Sequence, residues 1–269
     1  MTRTKSTYLG LLAVLLAPMA ANAVPITLIY VNSSSGALYS YDSSAAYSET
    51  LIAGSTGAFS ISSGPAANTI YIQAGSGALS TYDLTTDVQT NVGGSVPGNA
   101  LGEGRDGFLY AGSGASLYQV DPGTGISSLI GGGTYGYAGD IAVDPTSLSS
   151  MYGAVSTSTG VSLVTVDKTT GAQSLVGSFG VAGSIFGLGF SLDGLLYATG
   201  PTASGGGIYT IDKTTGAASL ARTVGYSPFD MATQPFEVDE PTTVPEPATL
   251  SLLGLGLLCM GAARRRCKA

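Results

Sequence analysis

Residues 163–176 read Leu-Val-Thr-Val-Asp-Lys-Thr-Thr-Gly-Ala-Gln-Ser-Leu-Val. Apolar and polar residues alternate as far as Asp167, the period of a half-buried strand. An aspartate able to cap a turn follows, then a glycine able to take positive φ, then a second short strand from Gln173. This is the chemistry of a β-hairpin, and it recurs. Its first half returns as Leu38-Tyr39-Ser40-Tyr41-Asp42, Leu79-Ser80-Thr81-Tyr82-Asp83, Leu117-Tyr118-Gln119-Val120-Asp121 and Ile208-Tyr209-Thr210-Ile211-Asp212, with the five aspartates 41, 38, 46 and 45 residues apart. Thr124-Gly125 and Thr215-Gly216 repeat the turn, and Ala218-Ser219-Leu220-Ala221 repeats the strand after it.

Two further phrases precede each hairpin. One is Thr27-Leu28-Ile29-Tyr30, Thr69-Ile70-Tyr71-Ile72, Phe108-Leu109-Tyr110-Ala111, Ser150-Met151-Tyr152-Gly153 and Leu195-Leu196-Tyr197-Ala198. The other, earlier still, is Ala58-Phe59-Ser60-Ile61, Ala100-Leu101-Gly102, Asp140-Ile141-Ala142-Val143 and Gly187-Leu188-Gly189-Phe190. Four short strands in about 42 residues is the period of a β-propeller blade, and β-solenoids repeat at roughly half of it. The expected fold is therefore all-β: a five-bladed propeller of four-stranded blades spanning 24–233. The unit from Thr27 lacks its innermost strand, whereas Phe229-Asp230-Met231-Ala232-Thr233 is an innermost strand with no blade behind it. Pairing the two chain ends closes the ring and removes its open edges. The 40 glycines suit tight turns and a crowded channel.

The flanks have a different character. Arg3 and Lys5, an apolar run from Tyr8 to Met19 and the triplet Ala21-Asn22-Ala23 have the layout of a secretory signal peptide, residues 1–23, with the cleavage site defined by Ala21 and Ala23. Residues 234–247 form an acidic, proline-containing linker. Beyond it, Ala248 to Ala263 is apolar for 16 residues, roughly 24 Å as a helix, and Arg264-Arg265-Arg266 behind it would stay cytoplasmic. This arrangement closely resembles the PEP-CTERM sorting signal of Gram-negative bacteria that make exopolysaccharide, on the residues Pro245-Glu246-Pro247, the glycine-spaced stretch Leu250 to Gly261 and the basic end. The resemblance implies a C-terminal transmembrane sorting helix within 248–269. It also implies an exosortase-like membrane protease as partner, which removes the tail and releases or transfers the protein to the surface.

Charge and absences bound the function. From Val24 to Thr243 four basic residues face 16 acidic ones, a net charge of −12, which repels nucleic-acid phosphates. The chain has no histidine, and both cysteines, Cys259 and Cys267, lie in the tail. Cys/His zinc sites, Ser-His-Asp triads and thiol nucleophiles are thereby removed. We expect no cofactor, no metal and no catalytic residue.

The repeated aspartates read as turn caps rather than a cation ring, because each has local backbone N–H groups to accept from. Asp106, Asp144 and Asp193 also read as turn chemistry, and the repeated tyrosines as blade packing. The candidate ligand site is the glycine-rich segment 131–140, carrying Tyr135 and Tyr137 and followed by Asp140. Tyr226 and Asp230 hold the analogous places in the closing strand. Aromatic faces beside an acid suit a sugar ring.

Phrases such as Leu-Tyr-x-Val-Asp-x-x-Thr-Gly resemble, in cadence, bacterial surface propellers of the NHL and YVTN type. The expected function is a non-enzymatic surface or extracellular-matrix protein of a Gram-negative bacterium, held briefly in the inner membrane. Its partner outside the cell would be an exopolysaccharide, as in a biofilm, or a matrix protein. Two alternatives stand beside it. One is a carbohydrate-active hydrolase or lyase with Asp140, Asp230, Tyr135 and Tyr226 around one pocket. The other is a purely structural repeat.

Overall fold

The computed structural model describes residues 27–32, 36–64, 66, 68–191 and 194–233. The predicted signal peptide 1–23 with Ala21 and Ala23, the linker 234–247 with Pro245, Glu246 and Pro247, the predicted helix and tail 248–269 with Arg264, Arg265 and Arg266, and Asp193 lie outside the described residues. Each phrase of the sequence becomes a strand. The first unit supplies β1 (Thr27–Asn32), β2 (Leu38–Asp42) and β3 (Ser48–Ala53). The second is β4 (Ala58–Ser63), β5 (Thr69–Ala74), β6 (Leu79–Asp83) and β7 (Val88–Gly93). The third is β8 (Ala100–Glu103), β9 (Leu109–Ser113), β10 (Ser116–Val120) and β11 (Ser127–Gly132). The fourth is β12 (Tyr137–Val143), β13 (Met151–Thr157), β14 (Gly160–Val166) and β15 (Gln173–Ser178). The fifth is β16 (Gly187–Phe190), β17 (Leu196–Thr202), β18 (Gly205–Ile211) and β19 (Ala218–Val224), after which the chain ends its described part in β20 (Pro228–Thr233).

These strands form five antiparallel four-stranded sheets. β20 completes the first of them by pairing with β1, Leu28 opposite Thr233 and Val31 opposite Asp230. The five innermost strands pack side by side in the cyclic order β20, β4, β8, β12, β16 and back to β20. The ring is closed by the two ends of the chain, as the unpaired first and last phrases predict.

The core is divided among the blade interfaces. Leu38 and Ala232 pack on Ile61 and Ile70 between the first and second blades. Tyr71 and Leu79 meet Leu101 and Leu109 at the next interface, and Tyr110 and Leu117 meet Ile141 and Val164 at the one after. Leu163 meets Phe179 and Leu188 between the fourth and fifth blades, and Tyr197 and Ile208 meet Tyr41 and Met231 at the seam. Each fully buried Leu or Ile contributes about 1.5–3 kcal/mol, so these five seams supply the cohesion that disulfides supply in other exported proteins. The repeated tyrosines at 71, 110, 152 and 197 all belong to these interfaces.

The turns follow the aspartates. Asp83 accepts from the N–H groups of Thr85 and Thr86 (2.8 and 2.9 Å), and Asp121, Asp167 and Asp212 do the same in their own hairpins. Gly171, at φ +73°, then turns the chain into the outer strand. Every outer hairpin also carries a register shift at the same place. The extra residue there tucks Ile52, Val92, Ile130 and Val176 against the core. The residues before three of these, Leu51, Leu129 and Leu175, are left 53–63% exposed. Such bulges twist an edge strand and protect it from pairing with another chain.

Asp106 and Asp144 do more than the turn chemistry read from the sequence. Each keeps a local backbone N–H, from Phe108 and Thr146. Each also pairs with a lysine of the next blade, Lys168 at 2.8 Å and Lys213 at 2.6 Å. Burial opposes the charge on Asp144, but Lys213 and Thr146 outweigh it and hold the carboxyl below its usual range.

The innermost strands approach so closely that side chains are restricted there. A Cβ on Gly102 would stand 2.3 Å from the carbonyl oxygen of Ile141 on the neighbouring strand. Gly102→Ala should lower stability by about 2–3 kcal/mol in chemical denaturation of the full-length protein. Gly75→Ala, where a Cβ meets nothing within 4 Å, should stay within about 0.5 kcal/mol.

Candidate functional site

An innermost propeller strand is paired on one side only, so every second N–H of its backbone points at the axis. Here a set of five such groups is satisfied by two carboxylates. Asp140 Oδ1 accepts from Leu101 and Ile141, both at 2.8 Å, and its Oδ2 lies 3.5 Å from the N–H of Leu188. Asp230 Oδ2 accepts from the N–H of Ile61 at 2.8 Å and from the Ser60 hydroxyl, and its Oδ1 from the N–H of Met231 at 2.8 Å. One donor thus comes from each of β4, β8, β12, β16 and β20. Irregularities of register turn these side chains to the axis. β12 carries one between Tyr137 and Ile141, β4 one between Ala58 and Ser60, and β1 one opposite β20. Re-aiming a side chain is a usual role of a bulge.

Asp140 and Asp230 are 1% and 2% exposed. Burial raises both carboxyls, that of Asp230 to about 7, and the charge of Asp230 raises Asp140 further. The backbone donors lower both, and a hydrogen bond from Asp140 lowers Asp230. Burial and mutual proximity thus favour a proton held by the pair over two bare carboxylates.

On the side where the innermost strands end, the channel opens into a small pocket of about 30 Å³ with Asp140, Glu103 and Arg105 in its lining. The axis-facing N–H groups alternate, so those of Ser63, Glu103, Val143, Phe190 and Thr233, two residues beyond the first set, face this pocket. The N–H groups of the residues that follow four of these turn back into their own blades: Gly64 to Thr69, Gly104 to Phe108, Asp144 to Ser150 and Ser191 to Leu195. Arg105 sits in the left-handed backbone region (φ +58°), its N–H bonded to Glu103 Oε1 at 2.7 Å. Its Nε is 3.7 Å from Glu103 Oε2, and burial lowers the guanidinium to about 10. The lining offers donors from backbone and arginine and one acceptor carboxylate. On the other side, where the strands begin, Phe229 packs on Phe59 and Phe186 at centroid distances of 4.9 and 5.4 Å.

The structure thus brings Asp140 and Asp230 together and separates the tyrosines. Tyr137 is buried, and Tyr135 half-buried, at the interface of the third and fourth blades. The segment 131–140 is largely strand, with only residues 133–136 between β11 and β12, and there the N–H of Tyr135 bonds Gln173 Oε1 at 2.8 Å. Tyr226 lies at the seam of the fifth and first blades, stacked on Tyr39 at 4.5 Å with its hydroxyl 2.8 Å from that of Tyr41. Ser60, Glu103, Arg105 and the three phenylalanines escaped the sequence reading. The usable signal was the parallel between Phe59-Ser60-Ile61 and Phe229-Asp230-Met231. Among the described residues no three acidic, histidine or cysteine side chains gather as a metal site.

The PEP-CTERM protein-sorting motif matches residues 243–266. The chain therefore carries this sorting signal, the mark of an exported protein anchored transiently in the membrane and recognised by an exosortase. No curated protein matches the chain. Among solved structures, the nidogen/laminin complex contains a chain that aligns over 78% of this one and 98% of its own length, at 7% identity and a TM-score of 0.53. TolB from Acinetobacter baumannii aligns over 78% of this chain and 66% of its own, at 14% identity and a TM-score of 0.50. At these identities the likeness is one of fold alone.

If the carboxyl pair holds the ring, its two oxygens and its proton matter separately. Asp140→Ala leaves buried donors without an acceptor and should cost about 3–5 kcal/mol. Asp140→Asn copies the protonated acid, one oxygen accepting and one N–H donating, and should stay within about 1 kcal/mol of the parent at pH 7. Denaturant titration of the two full-length variants separates these outcomes.

Proposed function

We propose that the protein is a surface or extracellular-matrix component that works by binding rather than catalysis, with a polysaccharide of the producing cell as its partner. The observation that carries this reading is the use made of the two channel carboxylates: Asp140 and Asp230 are spent as acceptors for backbone N–H groups. The hydrolase or lyase alternative asks for carboxylates and tyrosines around one pocket, and Tyr135 and Tyr226 belong to two different blade interfaces. The sorting motif supports a place at the cell surface. Tyr135, half-buried beside the start of β12, remains the candidate for stacking on a sugar ring.

Calorimetry of the full-length protein with the cell's own exopolysaccharide tests the reading. Saturable binding should weaken about tenfold in Tyr135→Ala, measured at a temperature where that variant is folded. Tyr226→Ala should weaken stability as well, because it removes a seam contact. No binding by the folded protein would overturn the polysaccharide reading and direct attention to a protein partner. Sorting is tested separately: Glu246→Ala should leave the uncleaved chain in the membrane fraction, visible by electrophoresis.

A further inference from the structure

The two buried carboxyls do not sit on equivalent elements. Asp140 belongs to β12, whose partners β13 to β15 follow it directly in sequence. Asp230 belongs to β20, which is held in its sheet only by β1, at the opposite end of the chain. β12 is anchored by hairpins, while β20 closes a seam between chain termini. Any repulsion between the two side chains therefore acts on the innermost strand that no hairpin ties to its sheet.

No other charged group compensates it. From β4 the pair is faced by the Ser60 hydroxyl and the N–H of Ile61, from β8 by the N–H of Leu101, and from β16 by the N–H of Leu188. Glu103 and Arg105 lie in the lining of the pocket below and form their own ion pair. Asp140 and Asp230 each bear on the other's carboxyl.

We propose that the Asp140–Asp230 pair is a proton-operated latch on ring closure, holding β20 against β1 while it keeps its proton and letting this seam open as the solution turns alkaline. The sign follows from linkage. Both carboxyls are raised above the unfolded value, so the folded ring binds more protons than the open chain. The stability they supply is complete below about pH 4 and declines as pH rises towards 7 and beyond. The turn aspartates held low by lysines, Asp106 and Asp144, work in the opposite direction and only in acid. They leave the neutral-to-alkaline window to the latch. Opening there would release the strand that precedes the linker to the sorting motif.

Hydrogen exchange of the full-length protein, read by mass spectrometry and corrected for the intrinsic pH dependence of exchange, tests this. Protection of residues 228–233 and 27–32 should fall by more than about tenfold between roughly pH 6 and pH 8.5, while β13 and β14 keep theirs. Asp230→Asn should abolish the difference, and the double variant Asp140→Asn/Asp230→Asn serves the same purpose if that variant folds poorly. Uniform loss of protection in all blades of the parent protein, or a seam whose pH dependence survives in the folded variant, would overturn the latch.

Discussion

A β-sheet rolled into propeller blades leaves each innermost strand with an unpaired edge facing the axis, and buried N–H groups without acceptors cost about 1–3 kcal/mol each. Five such groups, from Ile61, Leu101, Ile141, Leu188 and Met231, converge here at one level of the channel. The chain supplies acceptors for them from its own side chains. Two aspartates, each on a strand beside a register irregularity, cover all five. The remaining features of the channel follow from that solution. The carboxyls are buried and must share a proton, small residues line the strands beside them, and the phenylalanines close one side.

The same solution ties local chemistry to global closure. Asp230 reaches across from the last strand to β4 of the second blade, so the chain's final described element is bonded to both its sheet partner and its neighbour in the ring. The outer parts of the molecule rely on different forces. Apolar clusters join successive blades, and lysines at 168 and 213 reach back to the preceding blade's turn aspartates. Bulged outer strands bury one apolar residue and expose the one before it, which shapes the rim without offering a flat edge. An acidic surface and the absence of disulfide-forming cysteines in the propeller are compatible with export because cohesion is spread over five interfaces.

Much of this was legible before any coordinates. The Leu-x-x-x-Asp hairpin phrase placed β2, β6, β10, β14 and β18, and the tyrosine phrase placed the strands before them, because period-two alternation and turn chemistry are local signals. The closing strand was legible from a count: one innermost strand too few at the front and one too many at the back. The site was less so. Asp140 and Asp230 were singled out as companions of tyrosines, whereas their partners are backbone groups, which no side-chain pattern announces. Tyr137 and Tyr226 were read as candidates to stack on a sugar ring. Blade packing covers Tyr137, and Tyr39 covers one face of Tyr226. The roles of Lys168 and Lys213 were not legible, since a contact between consecutive blades has no signature within either hairpin.

The account rests on a carboxyl pair that keeps a proton where ordinary aspartates have lost theirs. Carbon-13 NMR of the side-chain carboxyls, assigned by Asp140→Asn and Asp230→Asn, measures this directly across a pH titration. The account predicts that the two resonances stay at their protonated positions between about pH 4 and about pH 6, where surface aspartates are fully ionised. Two carboxyls that titrate with the surface aspartates near pH 4 would contradict it, and with it the claim that a shared proton closes the ring.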